Sequence, residues 1–246
     1  MKAMILAAGL GTRLQPLTDD RPKALVEVGG RTLLQMTLER LRMFGVNEVI
    51  VNAHHYAEMI ESYLVANGNF GMRIEVSCEE TLLDTGGGLK KAGWFFGDSQ
   101  EPFILHNVDV MSTIDLGRML RFHLEHNALA TLAVQDRETS RYLLFDEEGL
   151  LCGRRAGHDG PAQIVRGVDE TTTLAFTGIH VLSPRVLEKM DEIGAFSIID
   201  AYLHLATRGE QIVGFRADEF YWRDLGRPEN VLQAGRDIES GVYRYL

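Results

Sequence analysis

The stretch AAGLGTRLQPLTDDRPK, Ala7 to Lys23, sets two glycines, an arginine and a lysine directly after the apolar run Met4 to Ala8. Small residues at Ala7, Ala8, Gly9 and Gly11 allow close approach to the backbone, and the free N–H groups of such a loop can wrap a polyphosphate. Arg13 offers a planar fork for phosphate oxygens, and Lys23 a movable point charge. Two commoner phosphate motifs do not fit. A P-loop requires G-x-x-x-x-G-K-[ST], and no lysine follows these glycines. A dinucleotide fingerprint requires a third glycine leading into a helix, but Thr12-Arg13-Leu14 follows Gly11 and Pro16 would interrupt a helix there. The remaining choice is between a nucleotide-phosphate loop and a surface turn with solvated basic residues. The company of Arg13, Pro22 and Lys23 favours the loop.

Further along, LLDTGGGLKKA places three glycines just before an expected helix, where a planar ring could stack and N-terminal amides could donate. Glu79 and Glu80, just upstream, could accept hydrogen bonds from a base or simply face solvent. Asp109 closes the apolar run FILHNVDV, and Asp224 stands in WRDLGRPEN near Pro228. Read alone, the first is a solvated strand-end acid or a magnesium ligand, and the second a helix-capping acid or a ligand. Arg137, Arg141, Arg154 and Arg155 form a basic segment that suits either a solvated face or an acidic or phosphorylated sugar. His54 and His55 lack ligand spacing and read as structural.

These residues need a scaffold, and the apolar pattern supplies one. Met4–Ala8, NEVIVNA, MRIEVSC and FILHNVDV read as strands, alternating with helical patterns at Leu33 to Phe44, at Tyr56 to Asn67 and after Gly88. That alternation predicts an α/β, Rossmann-like fold: a mostly parallel central sheet with helices on both faces and ligands at the carboxyl ends of the strands. From about Ala128 the rhythm changes. ALATLAV, RYLLFDEEGLLCG with its Glu-Glu-Gly turn, TLAFTGIHVL and QIVGFRA predict a mixed, partly antiparallel sheet, with a polar stretch from Arg154 to Thr173. Helices are expected at Arg185 to Glu192, at Ile198 to Arg208 and from Pro228. No linker or repeat interrupts the 246 residues, so one domain is expected, with a nucleotide half to about residue 127 and a sugar half from 128 to 246.

Thirty-five acidic against 25 basic residues give a net charge of -10, which opposes nucleic-acid binding. Cys78 and Cys152 form neither a disulfide framework nor a metal motif, and no apolar run is long enough for a signal peptide or membrane span. A cytoplasmic protein is expected.

The segment MILAAGLGTRLQPLTDDRPKALVEVGG resembles the signature of the sugar-1-phosphate nucleotidyltransferases, roughly L-x-x-G-x-G-[TS]-R-[LM]-x-P-L-T-x-x-x-P-K-[PA]-L. The resemblance implies that an NTP and a sugar 1-phosphate give a nucleotide sugar and pyrophosphate. It assigns Gly9, Gly11 and Thr12 to the triphosphate, Arg13 to the leaving pyrophosphate, and Lys23 to the phosphates around the reacting phosphorus. It makes Asp109 and Asp224 ligands of Mg²⁺. It also sets the base against Thr85, Gly86 and Gly87, with Glu80 nearby, and the sugar against Thr177 and Gly178 of FTGIH. Val108 replaces the glycine that normally precedes the first aspartate, which questions the local backbone and keeps open a sensor that has lost catalysis. Length, DTGGG and the absent C-terminal repeat are most similar to the short N-acetylmuramate 1-phosphate uridylyltransferases, then to mannose or heptose 1-phosphate guanylyltransferases, so UTP or GTP is the expected donor. A phosphocholine cytidylyltransferase would share the opening motif, but Tyr221 and Trp222 are too few for its cation pocket.

Overall fold

A computed structural model describes residues 1–97, 99–167 and 170–244. In chain order the elements are β1 (Lys2–Leu6), β2 (Glu27–Val28), β3 (Arg31–Thr32), α1 (Leu33–Met43), β4 (Glu48–Ala53), α2 (Ala57–Ala66), β5 (Arg73–Cys78), α3 (Asp84–Lys91), β6 (Phe103–Asn107) and β7 (Val110–Ser112). There follow α4 (Leu116–Glu125), β8 (Ala130–Gln135), β9 (Arg141–Phe145), β10 (Leu151–Ala156), β11 (Ala162–Ile164), β12 (Thr172–Leu182), α5 (Arg185–Lys189), α6 (Ile198–Thr207), β13 (Ile212–Arg216), β14 (Trp222–Asp224) and α7 (Pro228–Glu239).

The chain forms two compact units that do not follow the expected sequence halves: residues 1–83, 105–114 and 220–246 make the first, and residues 84–104 and 115–219 the second. The described segment from Phe220 onward, with Asp224, therefore belongs with the opening loop. In the first unit the strands lie in the order β6-β1-β4-β5, and β1 pairs with β4, and β4 with β5, in parallel. Ala3, Met4 and Ile5 are buried completely, which is why the run has no polar alternation. Helix α1 begins where the Thr32 hydroxyl accepts the Gln35 N–H at 3.0 Å, and Gly45 ends the segment at φ +79°. Its Leu34, Leu38 and Leu41 are fully buried, each stabilising by about 1.5–3 kcal/mol.

The second unit is largely antiparallel: β12 pairs with β8 and β9, and β10 with β9 and β11, while β13 runs parallel to β8. The mixed second half expected from the sequence is present. Three local readings need correction. FILHNVDV is not one strand, because β6 ends at Asn107 and a turn through Val108 and Asp109 leads into β7. The segment after Pro184 is helical only to Lys189. The polar stretch from Arg154 extends β10 to Ala156 and adds the edge strand β11; Val168 and Asp169 within it lie outside the described residues. Among the described residues no helix is long and apolar enough to cross a membrane.

Candidate active site

A short ladder in the first unit brings the two candidate aspartates together. Strand β14 pairs antiparallel with β7, Asp224 opposite Val110, Arg223 opposite Met111 and Trp222 opposite Ser112. Beyond one end the Leu225 N–H donates to the Asp109 carbonyl at 2.7 Å; beyond the other the Thr113 N–H donates to the Tyr221 carbonyl at 3.0 Å. Helix α7 backs this ribbon. Its Asn230 side chain donates to the Asp224 carbonyl at 2.8 Å, and Asp237 accepts from the Tyr221 hydroxyl at 2.6 Å and from Arg223 at 2.8 Å. Burial, then the Asp237 contact, pushes the Tyr221 hydroxyl up to about 12. Tyr221 is thus a structural fixture of the ribbon.

Around the ribbon the cations converge. Lys23 Nζ forms an ion pair with Asp109 Oδ2, both side chains mostly buried. The Gly226 N–H donates to Asp224 Oδ1 at 2.7 Å. A methyl group at Gly226 would stand 2.8 Å from that oxygen and 3.5 Å from both Arg13 Nη2 and Lys23 Nζ. Arg13, Lys23 and Asp224 therefore meet at one glycine, with Asp109 held by Lys23. Gly226 was absent from the sequence candidates; the signal was its position two residues after Asp224 in WRDLGRPEN.

The opening loop arrives at this cluster from β1. Ala7 and Ala8 are buried, whereas Gly9, Thr12 and Arg13 are exposed. A methyl group on Gly9 would meet nothing within 4 Å, so this backbone is open to a ligand. Gly11 takes φ +69°, and its carbonyl accepts from the Thr18 hydroxyl at 2.9 Å and the Leu14 N–H at 2.8 Å. Val108, the departure from the family pattern, is not among the positive-φ residues; it is buried, and its N–H donates to the Leu6 carbonyl at 3.1 Å. Valine is unstrained there, which answers the question about the local backbone.

Among the described residues no three His, Cys, Asp or Glu side chains group as a metal cage. The donor set does fit Mg²⁺, which binds through one or two carboxylates and completes its shell with water and substrate phosphate oxygens. Lys23 takes one oxygen of Asp109 and Gly226 one of Asp224; among the described residues the second oxygen of each has no hydrogen bond. Nearby, burial lowers His106 from 6.5 to about 4, so the imidazole is neutral at pH 7 and adds no charge.

Of the two glutamates after β5, Glu80 is exposed while Glu79 is 4% exposed and hydrogen-bonded through both oxygens, to the Asn52 amide at 2.7 Å and the Leu83 N–H at 2.9 Å. Asn52 in turn accepts the Ala7 N–H at 2.7 Å. Sequence reasoning gave Glu79 no structural role, because nothing in the letters separates it from its neighbour.

In the second unit the glycine triplet lies inside α3, not before it. The Gly86 and Gly87 N–H groups both donate to the Phe196 carbonyl, at 2.9 and 3.3 Å, and the Thr85 hydroxyl accepts the Ile198 N–H at 2.9 Å. A methyl group at Gly86 would stand 2.3 Å from the Phe196 ring, so glycine there permits close packing. Thr177 is 1% exposed and its hydroxyl donates to the Ala133 carbonyl at 2.8 Å; Gly178 takes φ +83° where the β12–β8 register shifts between Phe176 and His180. Arg154 is paired with Asp200, and Arg137 donates to the Phe176 carbonyl at 2.8 Å, so part of the basic segment is engaged within the unit.

The family model for nucleotidyl transferase matches residues 2–241. The N-acetylmuramate alpha-1-phosphate uridylyltransferase of Caulobacter vibrioides is 34% identical, over 94% of this chain and 94% of its own. The UTP–glucose-1-phosphate uridylyltransferase of Synechocystis and the mannose-1-phosphate guanyltransferase of Yarrowia lipolytica are each 30% identical, over 98% and 100% of this chain. The chain spans 64% of the length of each of those two. Among solved structures, HddC from Yersinia pseudotuberculosis complexed with GMP-PN superposes with a TM-score of 0.77 at 22% identity, covering 96% of this chain and 99% of that one. A UDP-glucose pyrophosphorylase complexed with UDP-glucose gives 0.78 at 18%, covering 98% of both. The chain belongs to the nucleotidyl transferase family, and these curated relatives are sugar-1-phosphate nucleotidyltransferases.

Proposed function

We propose that this chain transfers a uridylyl group from UTP to N-acetylmuramate 1-phosphate, releasing pyrophosphate. The observation that carries the transferase reading is the meeting of Arg13, Lys23 and Asp224 at Gly226, with Asp109 on Lys23. The relative of matching length supports uridine and the amino sugar acid, being 34% identical over 94% of both chains. A guanylyl transfer to mannose or heptose 1-phosphate is the second reading, supported by the 30% identical guanyltransferase.

In the reaction, an oxygen of the sugar 1-phosphate attacks the α-phosphorus of the NTP, the bond to the β-phosphate oxygen breaks, and pyrophosphate leaves. No protein nucleophile takes part. The loop amides at Gly9, Gly11 and Thr12 hold the triphosphate, and Arg13 receives the charge that builds on the departing pyrophosphate. Lys23 exchanges its ion pair with Asp109 for the α-phosphoryl oxygens as charge develops there. Asp109 and Asp224 would hold Mg²⁺, which neutralises phosphate charge and aligns the two anions. In the second unit the resemblance assigns the base to residues 85–87 and the sugar to Thr177 and Gly178. The buried Thr177 hydroxyl leaves backbone groups as the sugar contact there.

Pyrophosphate release with Mg²⁺, crossing UTP, GTP, CTP, ATP and dTTP against a panel of sugar 1-phosphates, tests the proposal, with Asp109→Asn as control. Turnover with UTP and N-acetylmuramate 1-phosphate, absent in the variant, is expected. Turnover only with GTP selects the second reading. NTP binding without turnover on any acceptor favours a nucleotide-sugar sensor.

A further inference from the structure

The buried pair Asn52 and Glu79 is not used by the chemistry above, yet it ties two nucleotide-side segments of the first unit. Ala7 opens the phosphate loop, and its N–H donates to Asn52 Oδ1 at 2.7 Å. That bond fixes the orientation of the amide: Oδ1 faces Ala7, so Nδ2 must face Glu79, where it donates to Oε1 at 2.7 Å. The second glutamate oxygen accepts the Leu83 N–H at 2.9 Å. Asn52 is 2% and Glu79 4% exposed, so water does not substitute for a lost partner at either side chain. The backbone at Glu79 is pinned as well, its N–H donating to the Ala53 carbonyl at 2.7 Å and its own carbonyl meeting His54 Nδ1 at 2.7 Å.

Glu79 therefore faces two donors and must supply two acceptors. A carboxylate does this; a carboxamide of the same shape does not, because its NH₂ would point at an N–H. Turning Asn52 around to accommodate it would confront the Ala7 N–H with another donor.

We infer that Asn52 and Glu79 are positioning residues, a donor–acceptor relay that holds the first amide of the phosphate loop at a set distance from the segment Glu79–Leu83. This rests on the nucleotide-binding reading above. Glu79 serves the relay through its two acceptor oxygens.

The reciprocal exchange tests this. Glu79→Gln alone leaves a buried donor unpaired, a loss on the order of 5- to 150-fold in equilibrium terms. It is expected to raise the KM for UTP about ten- to a hundredfold while kcat and the KM for the sugar 1-phosphate stay within about threefold. Amide exchange at Ala7 and Leu83 should speed up in the same variant. In the double variant Asn52→Asp with Glu79→Gln, the new carboxylate at position 52 accepts from both the Ala7 N–H and the new amide at 79, whose oxygen accepts from Leu83. The UTP KM and both exchange rates should return to within about threefold of the parent. Asn52→Asp alone, which sets two carboxylates face to face, should not recover.

A Glu79→Gln protein with parental UTP KM and parental Ala7 exchange overturns the inference. So does a double variant no better than the single. If Glu79→Gln does not fold, a folded double variant with parental exchange supports the relay and an unfolded one overturns it. If the parent protein neither binds nor turns over UTP or GTP, the functional reading fails, and Ala7 and Leu83 exchange still decides the relay.

Discussion

Two glycines, one in each unit, show opposite uses of the same missing side chain. Gly226 leaves space beside Asp224, Arg13 and Lys23, so charged groups of both signs gather where a phosphate could enter. Gly86 leaves space for the Phe196 ring, and its N–H is already spent on the Phe196 carbonyl. The first absence keeps a polar site open; the second closes apolar packing. A glycine-rich motif therefore says that something approaches the backbone closely, and only its neighbours say whether that is a ligand or the protein itself.

The strongest test of this contrast is Lys23→Ala. Removing one electrostatic donor aimed at developing charge should lower kcat by about 100- to 1,000-fold in the folded protein. Near-parental turnover would remove the first unit's claim to the chemistry.

A second test compares a buried histidine from each unit. Burial lowers both His106 and His123 from 6.5 to about 4, with Arg185 adding to the effect at His123. The unfolded chain binds these protons at a higher pH than the folded one, so stability is present above pH 6.5 and is lost as the pH falls toward 4. Each can contribute up to about 3 kcal/mol across that window and nothing further below it. Urea midpoints at pH 7, 5.5 and 4.5 should fall, and His123→Gln should flatten the slope.

The glycines themselves supply a finer pair. Gly86→Ala drives a methyl group into the Phe196 ring and should cost about 1–3 kcal/mol in urea unfolding. Gly226→Ala should instead displace the Asp224 carboxylate and lower kcat about tenfold or more at nearly unchanged stability. Reversal of those two outcomes would break the comparison. The smallest effect is expected at Thr177→Val, about 1 kcal/mol of stability from the unpaired Ala133 carbonyl, with the sugar 1-phosphate KM within about twofold. A large KM change there would return the hydroxyl to the substrate.

Much of the first unit was legible because its signals are local. Continuous apolar letters in β1 mean burial on both sides, and the spacing of Leu34, Leu38 and Leu41 means one helix face. The Gly9 to Lys23 pattern is itself contiguous, so the family resemblance it carries is readable without knowing what packs against it. Less legible were features defined by a partner. The turn at Val108 and Asp109 exists because Val110 to Ser112 leaves the first strand to pair with Trp222 to Asp224, more than a hundred residues later. Glu79 and Glu80 are identical letters, and only the Asn52 amide and the Leu83 N–H distinguish the buried one.

By itself the sequence determined the α/β alternation and the family, since each is written in neighbouring residues whose period, size and charge act locally. The tertiary structure alone decided that the chain's end joins its beginning, that Asp224 is held at Gly226 among Lys23 and Arg13, and that the Gly86 and Thr177 polar groups are consumed internally. The physical reason is the range of the forces involved. Helix and strand periods arise between residues a few positions apart, whereas a hydrogen bond or ion pair between distant residues depends on where the whole chain brings each donor and acceptor.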